Sequence, residues 1–385
     1  MKRVFVLCLL FALLLPAPRA AALAPLTDAA LPIAAPSAIL MEKETVEILY
    51  EKNADARQAP ASVTKVMTLL LLMEDLDAGR LSPEDTVTAS SRAASFGGSC
   101  VFLEPGEQMS VHEMLKCITV VSANDCAVAM AEHVSGTEEL FVARMNAKAE
   151  ELGLENTHFT NCTGLFDDPE HYSTARDIAL MSRELIRHER IKEYSTIWMD
   201  SIRGGSFELS NTNKLVYWYP GCTGLKTGFT NSAMYCLSAT AEREGVEYIA
   251  VIMHGESIDS RNDDAMTLLN YAFANYTLCP LTPENALPQL PVEMGQQASL
   301  PLRLDGPDVA LVSKGGAEPC YELTLPEQIS APVHEGQVLG TLRVTRGEQP
   351  LAERSVLADA DVERIGFGGI FLRLAASLFG SETLP

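Results

Sequence analysis

The apolar positions of this chain change period as it is followed from end to end, and each change marks an element. Residues 37–50 read as a hairpin, with Ala38, Ile39 and Leu40 on one arm, a polar centre, and Ile48, Leu49 and Tyr50 on the other. Pro60-Ala61-Ser62 then opens a run from Val63 to Leu76 so dense in Leu and Met that a buried helix is expected. Val111 to Val134 and Glu138 to Leu152 carry apolar residues at three-to-four spacing, the helical period, and residues 174–189 and 259–276 also read as helices. From Cys222 the pattern turns β-like: 222–229, 234–241 and 246–253 are strand-type runs, parted by Asn231-Ser232 and by Glu242 to Gly245. Helices lying between an early hairpin and late strands predict an α+β fold, an antiparallel sheet covered by helices.

A proline-rich stretch from Cys279 to Pro291 marks a domain boundary, and 292–357 are short β-type segments with glycine turns, a small all-β module. The tail, Asp361 to Phe379, sets Ile365, Phe367, Ile370, Phe371, Leu374, Leu378 and Phe379 among two basic residues, Arg364 and Arg373. It reads as an amphipathic helix lying in a membrane surface. At the other end Lys2 and Arg3 precede an apolar run, Val4 to Leu15, and then small residues through Ala22. That order is the order of a secretory signal, and the run is too short to span a bilayer. The expected organisation is a signal over 1–22, a first domain over 23–280, a β-rich domain over 281–358 and a membrane-associating tail over 359–385, in a protein exported from the cytoplasm.

Composition narrows the function. Acidic residues outnumber Lys and Arg by 51 to 29 in 385 residues, a net charge of −22, and aromatics are only 6%. A surface this acidic, poor in stacking side chains, argues against a nucleic-acid partner. The nine cysteines include no C-x-x-C pair, and the histidines form no H-E-x-x-H, so no metal or other cofactor is indicated.

Three short motifs carry the chemistry. Ser62-Val63-Thr64-Lys65 opens the first long helix, where residues three apart share a face. A serine hydroxyl is a poor nucleophile until a base takes its proton, and lysine is such a base only when burial or nearby positive charge lowers its pKa. Alone, S-x-x-K arises by chance about once in a chain of this length. Ser122-Ala123-Asn124 follows in a helix-loop region; its hydroxyl can relay a proton to a leaving amine and its amide can orient a carbonyl. Lys226-Thr227-Gly228 lies on the first late strand and offers a cation, a hydroxyl and an open edge, suited to a peptide that ends in a carboxylate. Glycine there lets a backbone approach closely.

Taken in this order, the trio S-x-x-K, S-x-N and K-T-G resembles that of the penicillin-recognising serine enzymes. Nearly the whole chain after the signal looks like a D-alanyl-D-alanine carboxypeptidase, a low-molecular-mass penicillin-binding protein. Asn156-Thr157-His158-Phe159, His171-Tyr172-Ser173-Thr174-Ala175, Gly224 to Thr230 and Ala331 to Gly336 share the resemblance. It implies the fold of serine β-lactamases and penicillin-binding transpeptidases with a small C-terminal β domain. It implies Ser62 as nucleophile, Lys65 as base, Ser122 and Asn124 for proton relay and substrate amide, and Lys226 and Thr227, beside Gly228, for the terminal carboxylate. An oxyanion hole from the N–H groups of Ser62 and Phe229 and a carboxylate-binding Arg261, just before the 262–276 helix, complete the set. Peptidoglycan stem peptides are then the substrates and β-lactams covalent inhibitors.

Two other functions compete. A class A β-lactamase needs Glu-x-x-Leu-Asn after the second motif, and the nearest text, Glu151 to Asn156, is out of register. A non-catalytic wall- or penicillin-binding protein would not need both Ser62 and Lys65. A serine D-Ala-D-Ala carboxypeptidase is therefore expected.

Overall fold

The computed structural model describes residues 31–379, so the expected signal over 1–22 lies outside the described residues. Two compact units form: one from residues up to Leu278 together with Leu311–Lys314, the other from Cys279–Ala310 and from Gly315 onward.

The first unit is built on a five-stranded antiparallel sheet. Its strands are β1 (Ser37–Glu42), β2 (Ile48–Lys52), β3 (Cys222–Thr230), β4 (Met234–Arg243) and β5 (Val246–Gly255), in the spatial order β2-β1-β5-β4-β3. Successive residues of a strand point to opposite faces. Ile39 and Met41 accordingly join one apolar cluster, while Ala38 and Leu40 join another. Both faces are covered, which is why 248–253 reads as an unbroken apolar run instead of an alternating one. One face packs against helix α6 (Ile258–Asn275) through Leu268, Leu269 and Ala272. The other meets the larger cluster, centred on α1 (Lys65–Asp77).

Helix α1 is buried on every side, so it has no polar stripe, and its sequence reads as solid Leu and Met. A 3₁₀ turn, Ala61–Thr64, leads into it. Around it stand α2 (Val111–Val120), α3 (Asn124–Ser135), α4 (Glu138–Glu151) and α5 (Ala175–Arg187). The sequence reading joined Val111 to Val134, but the backbone breaks at Val121–Ala123, with Ser122 at φ +63°. Side-chain caps mark several helix starts: Thr174 Oγ1 accepts from Asp177 N at 3.0 Å, and Ser257 Oγ from Ser260 N at 3.0 Å. The second cap places Arg261 inside the first turn of α6, in keeping with the helix read over 259–276 and not ahead of one that starts at 262.

The second unit carries a four-stranded antiparallel sheet, with Leu302–Leu304, Gln349–Ala358, Val338–Arg346 and Pro319–Thr324 side by side in that order. Its apolar core is small, and it buries a charge as well. The Arg354 guanidinium donates to the carbonyls of Asp305, Gly306 and Leu281 and pairs with Asp308. The closing helix, Phe367–Phe379, begins directly before Gly368 and Gly369 and leaves Phe367, Phe371, Leu372 and Leu374 exposed. Among the described residues no helix is long and apolar enough to cross a membrane. The eight cysteines from Cys100 to Cys320 are free thiols, and Cys117, Cys126, Cys162, Cys236 and Cys279 are buried.

Candidate active site

The 3₁₀ turn brings Ser62 and Lys65 to one face, as the spacing required. Lys65 Nζ donates to Ser62 Oγ at 2.9 Å, and also to Asn124 Oδ1 at 2.6 Å and to the carbonyl of Thr163 at 2.9 Å. All three donor directions of an ammonium are thus engaged, yet no carboxylate is paired with it. Burial is complete, and it pulls the Lys65 pKa down to about 7, with Cys162, Cys100 and Asp125 only partly offsetting it. Near neutral pH a large share of Lys65 is therefore the free amine, the form that can take a proton.

Asn124 opens α3, and the break before it turns Ser122 inward. Asn124 Nδ2 donates to the carbonyl of Gly97 at 2.8 Å, and its N–H to that of Ser99 at 2.7 Å. The Asp125 carboxylate accepts the N–H groups of Val101 and Leu103, each at 3.1 Å, so the 97–103 segment is held against the second motif. Ser122 Oγ is buried and has no hydrogen-bond partner among the described residues. A buried hydroxyl without a partner costs free energy that a bound ligand can recover.

Strand β3 is one of the two edges of the sheet, and it lies against the 3₁₀ turn at Gly228. A Cβ on Gly228 would stand 2.8 Å from the Pro60 carbonyl oxygen and 3.0 Å from both Ser62 N and Val63 N. Those are backbone atoms that cannot swing aside, which is the physical reason for glycine in the third motif. Thr227 Oγ1 donates to Thr212 Oγ1 at 2.8 Å, Lys226 Nζ donates to the carbonyl of Thr227 at 3.0 Å, and Phe229 stands half exposed beyond them. Arg261 donates to the carbonyl of Cys236, the residue opposite Gly228 on β4. Burial pulls its pKa down to about 10 and holds that of Lys226 well below the usual lysine range, with Lys65 and Arg261 adding to the latter. Among the described residues none of Lys65, Lys226 and Arg261 has a carboxylate ion-pair partner. In so acidic a protein, neighbouring buried basic groups without counter-ions form a place for an anion, whose arrival would favour their charged forms.

Ser62, Lys65 and Asn124 are thus joined by direct hydrogen bonds. Lys226, Thr227 and Gly228 lie on the adjoining strand, while Ser122 and Arg261 make no hydrogen bond to the Ser62–Lys65 pair. Several working residues were missed from sequence. Asn161 Oδ1 accepts from Thr163 N at 3.1 Å and from Gly164 N at 2.7 Å, shaping the loop that presents the Thr163 carbonyl to Lys65. Gly164 is obligatory there, since at φ +72° its Cβ would lie 1.8 Å from the Ala61 carbonyl oxygen. His171, almost wholly buried, accepts from Thr160 N at Nδ1 (3.1 Å), so Nε2 carries the proton and donates to Thr64 Oγ1 at 2.7 Å. The only sequence signal was the resemblance around His171 to Ala175, which assigned no role.

Comparison with known proteins follows the same lines. The family model for D-alanyl-D-alanine carboxypeptidase matches residues 24–257, and that for the penicillin-binding protein 5 C-terminal domain matches residues 280–364. The D-alanyl-D-alanine carboxypeptidase DacF of Bacillus subtilis is 44% identical over 339 residues, covering 86% of this chain and 87% of that protein. DacC of Escherichia coli is 33% identical over 343 residues, with 86% and 85% covered. The solved structure of penicillin binding protein 5 from Haemophilus influenzae superposes with a TM-score of 0.73 at 30% identity, covering 86% of this chain and 98% of that one.

Proposed function

The chain belongs to the D-alanyl-D-alanine carboxypeptidase family, and from that premise we propose how its cleft removes the terminal D-Ala from a peptidoglycan pentapeptide stem. The protein is a serine-type D-Ala-D-Ala carboxypeptidase of the penicillin-binding class. The terminal carboxylate of the stem enters beside Lys226, Thr227 and Arg261 and supplies the counter-ion that Lys226 and Arg261 lack, favouring their charged forms. The scissile carbonyl comes to rest with its oxygen toward the N–H groups of Ser62 and Phe229, and Asn124 orients the neighbouring amide.

Ser62 Oγ attacks the carbonyl carbon of the penultimate D-Ala while its proton passes to neutral Lys65 Nζ. The negative charge on the carbonyl oxygen is held by the two N–H groups. The C–N bond then breaks, and the proton held by Lys65 Nζ is relayed through Ser122 Oγ to the departing amine of D-Ala, which returns Lys65 to its neutral form. An ester on Ser62 remains. Water attacks it, Lys65 takes the proton of the water and passes it to Ser62 Oγ as the C–O bond breaks, which frees the shortened stem and restores the serine hydroxyl and the neutral amine. A β-lactam ring acylates Ser62 by the first half of the same sequence.

The observation that carries this reading is a fully buried lysine amine 2.9 Å from a serine hydroxyl, with its pKa lowered to about 7. Incubation of residues 23–385 with benzylpenicillin, followed by intact mass, tests it. A one-to-one adduct that lasts for minutes and is absent from Ser62→Ala supports it. A folded wild-type protein without any adduct would overturn it, and rapid drug loss without a lasting adduct would mark a β-lactamase instead. The division near residue 280, action outside the cytoplasm, and seating of the tail on the membrane surface complete the proposal. The exposed apolar residues of the closing helix support the last of these.

A further inference from the structure

Both tryptophans of the chain, Trp198 and Trp218, lie in one aromatic cluster. The Tyr217 ring sits 5.2 Å from that of Trp198 at an interplanar angle of 30°, and 4.8 Å edge-on from that of Trp218. Tyr217 is 60% exposed and Trp218 66%, and Met199 beside Trp198 is also exposed. A cluster of large apolar rings open to water is not explained by folding, because nothing among the described residues covers it.

The cluster is braced to the catalytic cleft. Asn211 donates its side-chain amide to the carbonyl of Ile197 at 2.7 Å and its N–H to that of Trp198 at 2.9 Å. Thr212 N donates to the carbonyl of Val120, two residues before Ser122, at 3.0 Å, and Thr212 Oγ1 accepts from Thr227. Asn213 Nδ2 donates to the carbonyl of Gly224 on β3 at 2.8 Å. One segment, 211–218, therefore links the edge of the carboxylate-binding strand to the open rings within a few residues.

We infer that the Trp198–Tyr217–Trp218 cluster is a glycan-binding platform that takes N-acetylated hexosamine rings of the peptidoglycan strand carrying the stem. This rests on the reading of the cleft as a peptidoglycan carboxypeptidase. A pyranose ring offers a face of C–H bonds that packs on an aromatic ring, while the phenol and indole edges remain free to hydrogen-bond hydroxyl and amide groups. The glycan backbone has no cationic groups to seek acids, and the charges flanking the cluster are mixed: Lys214 against Asp200 and Glu208. A stable interface with a second copy would bury about 800 Å² per partner, more than four side chains supply.

The tryptophans supply their own readout. Residues 23–385 are titrated with a peptide-free β-1,4-linked N-acetylglucosamine hexamer while tryptophan emission is followed. The expected result is a saturable change in emission, with affinity about 5- to 10-fold weaker in Tyr217→Ala, which keeps both reporters. In the same variant KM for pentapeptide still attached to glycan rises by a similar factor, while KM for free pentapeptide stays within twofold of the wild-type value. Benzylpenicillin acylation at the wild-type rate shows that the variant is folded. Equal hexamer affinity in wild type and variant would overturn the platform, as would the absence of any emission change. A response only to anionic vesicles, or only to raised protein concentration, would overturn it in favour of a membrane or a second copy. Failure of penicillin acylation with hexamer binding intact would remove the catalytic reading alone.

Discussion

Lys65 holds the protonation problem of the site in a single residue. Its amine must be neutral to act, yet it makes three hydrogen bonds as a donor, to Ser62, Asn124 and Thr163. Burial is the larger influence and leaves the pKa near 7, well below the ordinary value for a lysine. The sign for catalysis follows directly. Below pH 7 the proton stays on Lys65 and the fraction of competent enzyme falls about tenfold per pH unit; above it the fraction levels off. The rate constant for acylation by benzylpenicillin, measured from pH 5 to 9, should rise and reach a plateau with a midpoint near 7. Lys65→Arg cannot lose its proton in this range, so acylation should drop by about 10²- to 10⁴-fold at every pH. A flat profile for the wild type, or an arginine variant that keeps its rate, would remove Lys65 from the role of base. The serine and lysine were legible in the sequence because their contact is local, three residues on one face. The two other acceptors, Asn124 and Thr163, lie 59 and 98 residues away, and no local pattern could pair them with Lys65.

Among the elements, the 158–173 loop does the most for the site and was the least legible. It has no period to read, and its order comes from side chains folded back on its own backbone, Asn161 and His171 above all. His171 ties the loop to the catalytic turn through Thr64. Burial lowers its pKa to about 4, against the modest opposing influence of Asp168, with His158 also facing it and lowering it. A histidine held neutral in the fold but free to protonate when unfolded takes up more protons in the unfolded state between about pH 4 and 6.5. Stability from this group is therefore complete above about 6.5 and is lost as pH falls towards 4, a change on the order of 3 kcal/mol. A proton on Nδ1 would face the Thr160 N–H that now donates to it. His171→Gln can keep one donor and one acceptor without titrating. Its Tm should fall less than that of the wild type between pH 6.5 and 4, and parallel Tm curves would show that His171 does not titrate against the fold. The long helices and the strands of the five-stranded sheet were legible to within a few residues, since each repeats a pattern, whereas the short elements between Thr86 and Ser110 and between Lys192 and Trp218 are too brief to show one. The break at Ser122 was legible only as the helix-loop region of the second motif, because the apolar period runs straight through it while the backbone turns to bring Asn124 to Lys65.

For the whole molecule, the proposed seating on a membrane surface raises the question of which force would hold so acidic a chain there. The closing helix has 13 residues, about 20 Å long, short of the ~30 Å hydrocarbon core. It can lie in the interface but cannot span it. Attraction to anionic lipid is a poor candidate for the binding force. The chain carries a net charge of −22, and the two arginines of the tail, Arg364 and Arg373, are opposed by Asp361 and Glu363. Burial of apolar side chains is the better one. Phe367 is 87% exposed, Phe371 66%, Leu372 61% and Leu374 59%, and each can contribute about 1.5–3 kcal/mol on leaving water. The two forces respond oppositely to salt: screening weakens attraction between charges but leaves apolar burial in place. Residues 23–385 should therefore float with zwitterionic vesicles and stay bound at about 0.5 M salt, where the Debye length is only a few ångströms. Residues 23–358 should remain in solution, and Phe371→Asp should bind more weakly than the intact chain. Release by salt, or a requirement for anionic lipid, would show that charge carries the attachment; flotation of residues 23–358 would place it outside the tail.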